Sequence, residues 1–163
     1  TAAMASLNVG EGIKESSNQG PLINEAALEK VEQHGADATA KGASIALGGE
    51  RHALGGTFYQ PTLLTGVTAE MRVAGEETFG PLAPLFSFKT EEEGVALAND
   101  TQFGLASYFY ARDLSRVWRV SEALETGIVA VNTGIFSTEV APFGGVKESG
   151  VGREGSKYGI DEY

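Results

Sequence analysis

Cysteine is missing altogether from this 163-residue chain. That absence rules out a disulfide-stapled scaffold and any thiolate metal site. Histidine is nearly missing too, with His34 and His52 the two present. They are too few and too far apart for a zinc signature, and each is expected to be a solvated or helix-end histidine. Basic residues are in deficit, 12 against 22 acidic ones, giving a formal net charge of −10. A phosphate backbone or an anionic membrane needs clustered Lys and Arg, so neither is an expected partner. No apolar run is long enough to cross a bilayer, and no signal-peptide pattern opens the chain. The expectation is a soluble, cytoplasmic protein without a metal site.

What is present fits one domain with a sizeable core. Hydrophobic residues at 42% and charged residues at 21% place the chain among globular rather than disordered proteins. Helical and extended patterns alternate, which predicts an α/β fold with a largely parallel sheet and flanking helices. Asn24 is placed as the N-cap of a helix running to Lys41, with Leu28, Val31 and Ala38 on one face and Gly42 as its stop. Ser44 to Leu47, Phe58 to Leu64, Leu82 to Phe88, Ala106 to Ala111 and Ile128 to Val131 read as extended. Pro61 argues for an edge or a bend in the second of these. Thr90 with Glu93 forms a capping-box pattern, and Asp113 caps a helix through Glu125. From Asn132 onward the chain is irregular and glycine-rich for about 25 residues, longer than a loop without a role usually runs.

Two local patterns invite chemistry that their context does not support. Gly150-Val151-Gly152-Arg153-Glu154-Gly155 matches a dinucleotide fingerprint literally, but lacks the preceding strand, the helix and the distant acidic residue that such a cradle requires. Glu76 and Glu77 are adjacent carboxylates. In an extended segment neighbours point to opposite sides, so at most one of them faces a site.

The company those glutamates keep is more specific. Glu76-Glu77-Thr78-Phe79-Gly80-Pro81 and Pro142-Phe143-Gly144-Gly145-Val146-Lys147-Glu148-Ser149-Gly150 resemble landmarks of the aldehyde dehydrogenase family. Gly20-Pro21-Leu22-Ile23, Gln60-Pro61-Thr62, Ala98-Asn99-Asp100-Thr101 and Val131-Asn132 are similar to further landmarks, in family order along nearly the whole chain. Tyr108 to Asp113, Thr78 and the tail Gly152 to Gly159 resemble the succinate-semialdehyde dehydrogenases in particular.

That resemblance implies a site. Glu77 would hydrogen-bond the ribose hydroxyls of NAD or NADP, since a carboxylate accepts from both hydroxyls of a diol, and Phe79 would pack beside the ribose and nicotinamide. Phe143 would wall the aldehyde tunnel. Ser137, with Thr138 as the near alternative, would donate to the substrate's distal carboxylate.

In the family, a cysteine thiolate attacks the aldehyde to give a thiohemiacetal, hydride passes to the nicotinamide, and water hydrolyses the thioester. The cysteine, its oxyanion-hole asparagine, the glutamate base and the dinucleotide-binding domain all lie upstream in the family pattern. The chain therefore carries no catalytic residue of its own. The reading is a partial catalytic domain over residues 1–163, cut at both ends, inactive alone and prone to homo-oligomerise. The alternative is a stand-alone, non-enzymatic α/β module used for binding or assembly.

Overall fold

The structure, a computed structural model, describes residues 1–136 and 138–162. Its longest helix follows from the local sequence. Asn24 is extended, and its side-chain oxygen accepts from the Ala27 N–H at 2.9 Å, so α2 starts at Glu25 and runs to Ala40. Gly35 sits inside α2 without interrupting it. Gly42, at φ +101°, then reverses the chain into β1 (Ser44–Leu47). Before α2 there is a single helical turn, α1 (Ala2–Ala5).

The chain divides into two compact units, Thr1–Ser87 and Phe88–Tyr163. The first holds a three-stranded sheet in the order β1, β2 (Thr62–Thr65), β3 (Leu82–Pro84). The β1–β2 pair is antiparallel with a register shift between Ile45 and Leu47, and β2–β3 is parallel. Both Phe58 to Leu64 and Leu82 to Phe88 yield shorter strands than their patterns predict. Proline, which has no N–H to give a ladder, marks each boundary: β2 begins just after Pro61, and β3 closes on Pro84. A short helix, α3 (Arg72–Gly75), lies between β2 and β3.

In the second unit, Thr90 accepts from the Glu93 N–H while the Glu93 carboxylate reaches back to the Lys89 N–H at 2.7 Å. This starts α4 (Glu91–Asn99) with its first turn tied at both ends. β5 (Ala106–Phe109), α5 (Leu114–Ala123) and β6 (Ile128–Val131) form a βαβ unit with parallel pairing from Ala106–Ile128 to Phe109–Val131. β4 (Phe103–Gly104) pairs antiparallel with β7 (Val146–Lys147), and a 3-10 turn covers Gly159–Glu162. The α/β class is thus a mixed one, with parallel ladders at β2–β3 and β5–β6 and antiparallel ones beside them.

The core is unevenly shared. Leu28, Val31, Leu64, Val67, Met71 and Leu82 are buried together in the first unit. Among the described residues, Ala130 is the one buried apolar side chain of the second. Fully burying a leucine is worth roughly 1.5–3 kcal/mol, and Leu28 is completely enclosed. Leu28→Ala is therefore expected to lower stability by about 2–5 kcal/mol. Leu114→Ala on the exposed start of α5 should stay within about 0.5 kcal/mol. Urea unfolding of the two variants beside the parent measures the contrast, and equal losses would contradict the lopsided core.

Candidate functional site

The Glu76–Pro81 segment leaves the end of α3 in extended conformation, with Glu76 at φ −113° and ψ +131°. Alternate side chains then face opposite ways. Thr78 turns inward and is half-buried, whereas Glu77 is exposed and the Phe79 ring is 81% exposed. The segment ends in two tight turns, with the Gly80 N–H donating to the Thr78 carbonyl and the Leu82 N–H donating to the Gly80 carbonyl. A side chain at position 80 has no room, because a Cβ there would meet Val31 Cγ2 at 2.5 Å. Glycine is required by this close approach.

The two glutamates are not equivalent. Arg72 forks its Nε and Nη2 donors onto the Glu76 carboxylate, at 2.9 and 3.0 Å. The Arg72 fork, helped by His34, holds the Glu76 carboxyl down at about 2. Glu76 is thus an ionised structural carboxylate, while Glu77, on the opposite side of the strand, keeps its oxygens toward solvent.

His34 departs from expectation. Far from being solvated or at a helix end, it lies in the tenth position of α2 with no exposed surface. Its Nδ1 lies 2.5 Å from Thr78 Oγ1 and its Nε2 lies 3.3 Å from Glu76 Oε2. The sequence carried a usable signal, since His34 stands at i+3 from Val31 and i−4 from Ala38 on the apolar face of α2. His52 is half-buried, and its Nδ1 accepts from the Leu54 N–H.

In the second unit Phe143 is half-buried in the long loop and exchanges two backbone hydrogen bonds with Glu154, at 2.9 and 2.7 Å. Its ring stacks on Phe136, with centroids 6.0 Å apart and planes 10° from parallel, and Phe136 in turn leans on Tyr108. Phe136 and Tyr108 belong to this aromatic wall although the sequence reading did not single them out for it. Ser137 lies outside the described residues. Thr138 is exposed, and its hydroxyl accepts from the Val140 N–H.

The rest of the Pro142–Gly150 stretch is occupied with architecture. Lys147 Nζ donates to the carbonyls of Asn99 and Thr101 at the end of α4 and pairs with Glu125. Ser149 Oγ accepts from the Gly104 N–H. A Cβ on Gly127 would run into the backbone of Gly144, so the loop closes directly on the start of β6. The Gly150–Gly155 stretch opens no helix, and its Arg153 N–H is committed to the Glu162 carboxylate. It has none of the architecture of a phosphate cradle. Among the described residues no group of three or more His, Asp and Glu side chains is arranged to hold a metal, and no helix is long and apolar enough to cross a membrane.

The state of Glu76 sets a pH dependence. Its folded-state value lies well below the usual 4.5, so the stabilisation is complete above that value and is lost as pH falls toward about 2. Parent and Glu76→Gln chains, compared by urea unfolding from about pH 6 downward, should differ most at the top of the range and converge below about pH 4.5. A difference that stays constant with pH would show that the charge on Glu76 is not what stabilises the segment.

The sequence matches the aldehyde dehydrogenase family over residues 1–163. It is 62% identical to the NADP(+) succinate-semialdehyde dehydrogenase of Escherichia coli strain K12 and to the 3-sulfolactaldehyde dehydrogenase of Pseudomonas putida. Each alignment covers 99% of this chain and 33% of the relative. The crystal structure of succinate-semialdehyde dehydrogenase from Burkholderia pseudomallei superposes with a TM-score of 0.97 at 67% identity, over 99% of this chain and 34% of that one. Betaine aldehyde dehydrogenase from Staphylococcus aureus in complex with NAD+ gives 0.94 at 36% identity, over 99% and 33% of the two chains. The chain thus spans about a third of the length of the relatives it matches. With the outward Glu77–Phe79 pair and the Phe143 loop in place, this agreement along the whole chain shows that it belongs to the aldehyde dehydrogenase family.

Proposed function

We propose that these 163 residues form part of the catalytic domain of an NAD(P)-dependent aldehyde dehydrogenase that oxidises a short carboxylated aldehyde, succinate semialdehyde above all. The observation that carries the reading is the anchoring of Glu76 and Thr78 to His34, which leaves Glu77 and Phe79 together on the other side of the segment. An exposed carboxylate with two acceptor oxygens, next to an aromatic ring that packs against almost nothing of its own chain, suits the diol and flat ring of a nicotinamide riboside. When bound, the dinucleotide supplies the hydride acceptor. Glu77 orients the ribose and Phe79 keeps water from that face, so both contribute positioning rather than bond-making. The names of the relatives, several of them succinate-semialdehyde dehydrogenases that use NADP(+) or occur in mitochondria, support the substrate class.

On the substrate side, Phe143 with Phe136 and Tyr108 offers an apolar wall for the aldehyde chain. Ser137 is assigned to the distal carboxylate, where a hydroxyl donates a charge-assisted bond. The nucleophile is a cysteine supplied by sequence beyond these residues, since none is present here. The second unit also carries a cleft of about 540 Å³ walled by Phe88, Val95, Tyr108, Tyr110 and Val120. Exposed aromatic rings on such a wall favour burial against the remainder of the enzyme or against a second copy.

Two outcomes follow. The isolated chain, mixed with succinate semialdehyde and NAD+ or NADP+, is expected to produce no reduced dinucleotide. In the full-length enzyme, Glu77→Gln should slow single-turnover hydride transfer about 10- to 100-fold, with the rate of aldehyde capture changed much less. An unchanged hydride-transfer rate would remove Glu77 from the site.

A further inference from the structure

α2 presents a row of side chains to the segment that carries Glu77 and Phe79. Val31, His34 and Asp37 follow one another at i, i+3 and i+6 on one helix face. Asp37 Oδ2 accepts from the Arg72 N–H at 2.8 Å at the start of α3, and Val31 Cγ2 fills the space in front of Gly80. His34 lies between them and touches the segment twice, at Glu76 and at Thr78. These two residues are spaced i, i+2, so they share the α2-facing side of an extended segment.

We infer that His34 is a positioning residue for the dinucleotide, gripping Glu76 and Thr78 from behind so that the intervening Glu77 and the following Phe79 are held outward in a fixed pose. The inference rests on the reading that Glu77 and Phe79 face the nicotinamide riboside.

The chemistry of the ring explains why imidazole serves. Glu76 is ionised and accepts only, so the Nε2 of His34 must carry the hydrogen that it shares with that carboxylate. In the neutral ring, Nδ1 is then an acceptor, and the Thr78 hydroxyl donates to it. One rigid ring, itself fully buried, thus gives a donor and an acceptor at two of its corners. A phenyl ring would fill the same space and hold neither partner. An amide side chain reaches both partners only with a flexible stem. The segment therefore has two residues anchored on its helix-facing side, and the residues alternating with them inherit a defined direction.

The test uses the full-length dehydrogenase bearing this segment. Its readouts are KM for the dinucleotide, KM for the aldehyde, single-turnover hydride transfer and thermal unfolding. Thr78→Val keeps the volume and removes the hydroxyl. It is expected to raise the dinucleotide KM about 3- to 10-fold, the worth of one lost hydrogen bond, and to leave the aldehyde KM unchanged. Thr78→Ser, which keeps the hydroxyl, should restore the dinucleotide KM to within about 2-fold of the parent, a change below the worth of one hydrogen bond. His34→Gln, if it unfolds at the parental temperature, should fall between the two; if it does not fold, the Thr78 pair decides alone. Glu77→Gln serves as the control for the underlying reading. If Glu77→Gln impairs hydride transfer while Thr78→Val leaves the dinucleotide KM untouched, or moves both KM values together, His34 has a purely structural role and the inference fails. If Glu77→Gln itself changes nothing, the cofactor reading fails and takes the inference with it.

Discussion

The structure of the first unit hangs on one helix face. Leu28, Val31, His34 and Ala38 are the buried residues of α2, and with Asp37 this helix contacts Arg72, Glu76, Thr78 and Gly80 of the connection from Met71 to Leu82. The apolar members of the row supply the burial, and the polar members supply the register. A sheet of short strands with a bulge at Ile45–Leu47 has little means of fixing its own connections. Here the connection from β2 to β3 is fixed from outside, by hydrogen bonds from α2 to Arg72, Glu76 and Thr78 and by the lack of space at Gly80. A surface segment with a defined direction is the product of that arrangement.

Much of this was legible in the residues. Asn24, Thr90 and Asp113 each cap the helix they precede, because a short polar side chain beside an unsatisfied N–H is a local matter that needs no tertiary information. Ile128–Val131 appears as a strand with the bounds its β-branched run implies. Around Pro61 and Pro84 the pattern in the sequence runs on past the strands themselves, since alternation continues through a proline that the ladder cannot use. His34 was misjudged for a different reason. A histidine on an apolar face can be buried only if both nitrogens find partners, and those partners stand 42 and 44 residues away. The apolar face announces the burial, but no local pattern announces partners at that range. The distinction between Glu76 and Glu77 was half legible: alternation says that one of them faces inward, but only the Arg72 fork one helical turn earlier says which.

The glycine-rich stretch after Asn132 shows how a sequence signature can mix roles. Within Pro142–Gly150, Lys147 and Ser149 hold down the end of α4 and the start of β4, and Gly144 lets the chain pass against Gly127. Phe143 alone in that run joins an aromatic stack, with Phe136 and Tyr108. The motif is therefore mostly a fastening for one ring. Its strongest residues, read as landmarks, are the fastening and not the ring.

The uneven sharing of buried apolar side chains bears on the order in which such a polypeptide acquires structure. Residues 1–87 contain a closed hydrophobic nucleus, so this stretch can condense as soon as Leu82 has left the ribosome. The stretch that follows has a βαβ topology but almost nothing sealed within it, and its Tyr108, Tyr110 and Trp118 rings stay wet. Apolar surface left exposed in this way while a chain is being made is what renders a folding intermediate prone to aggregate.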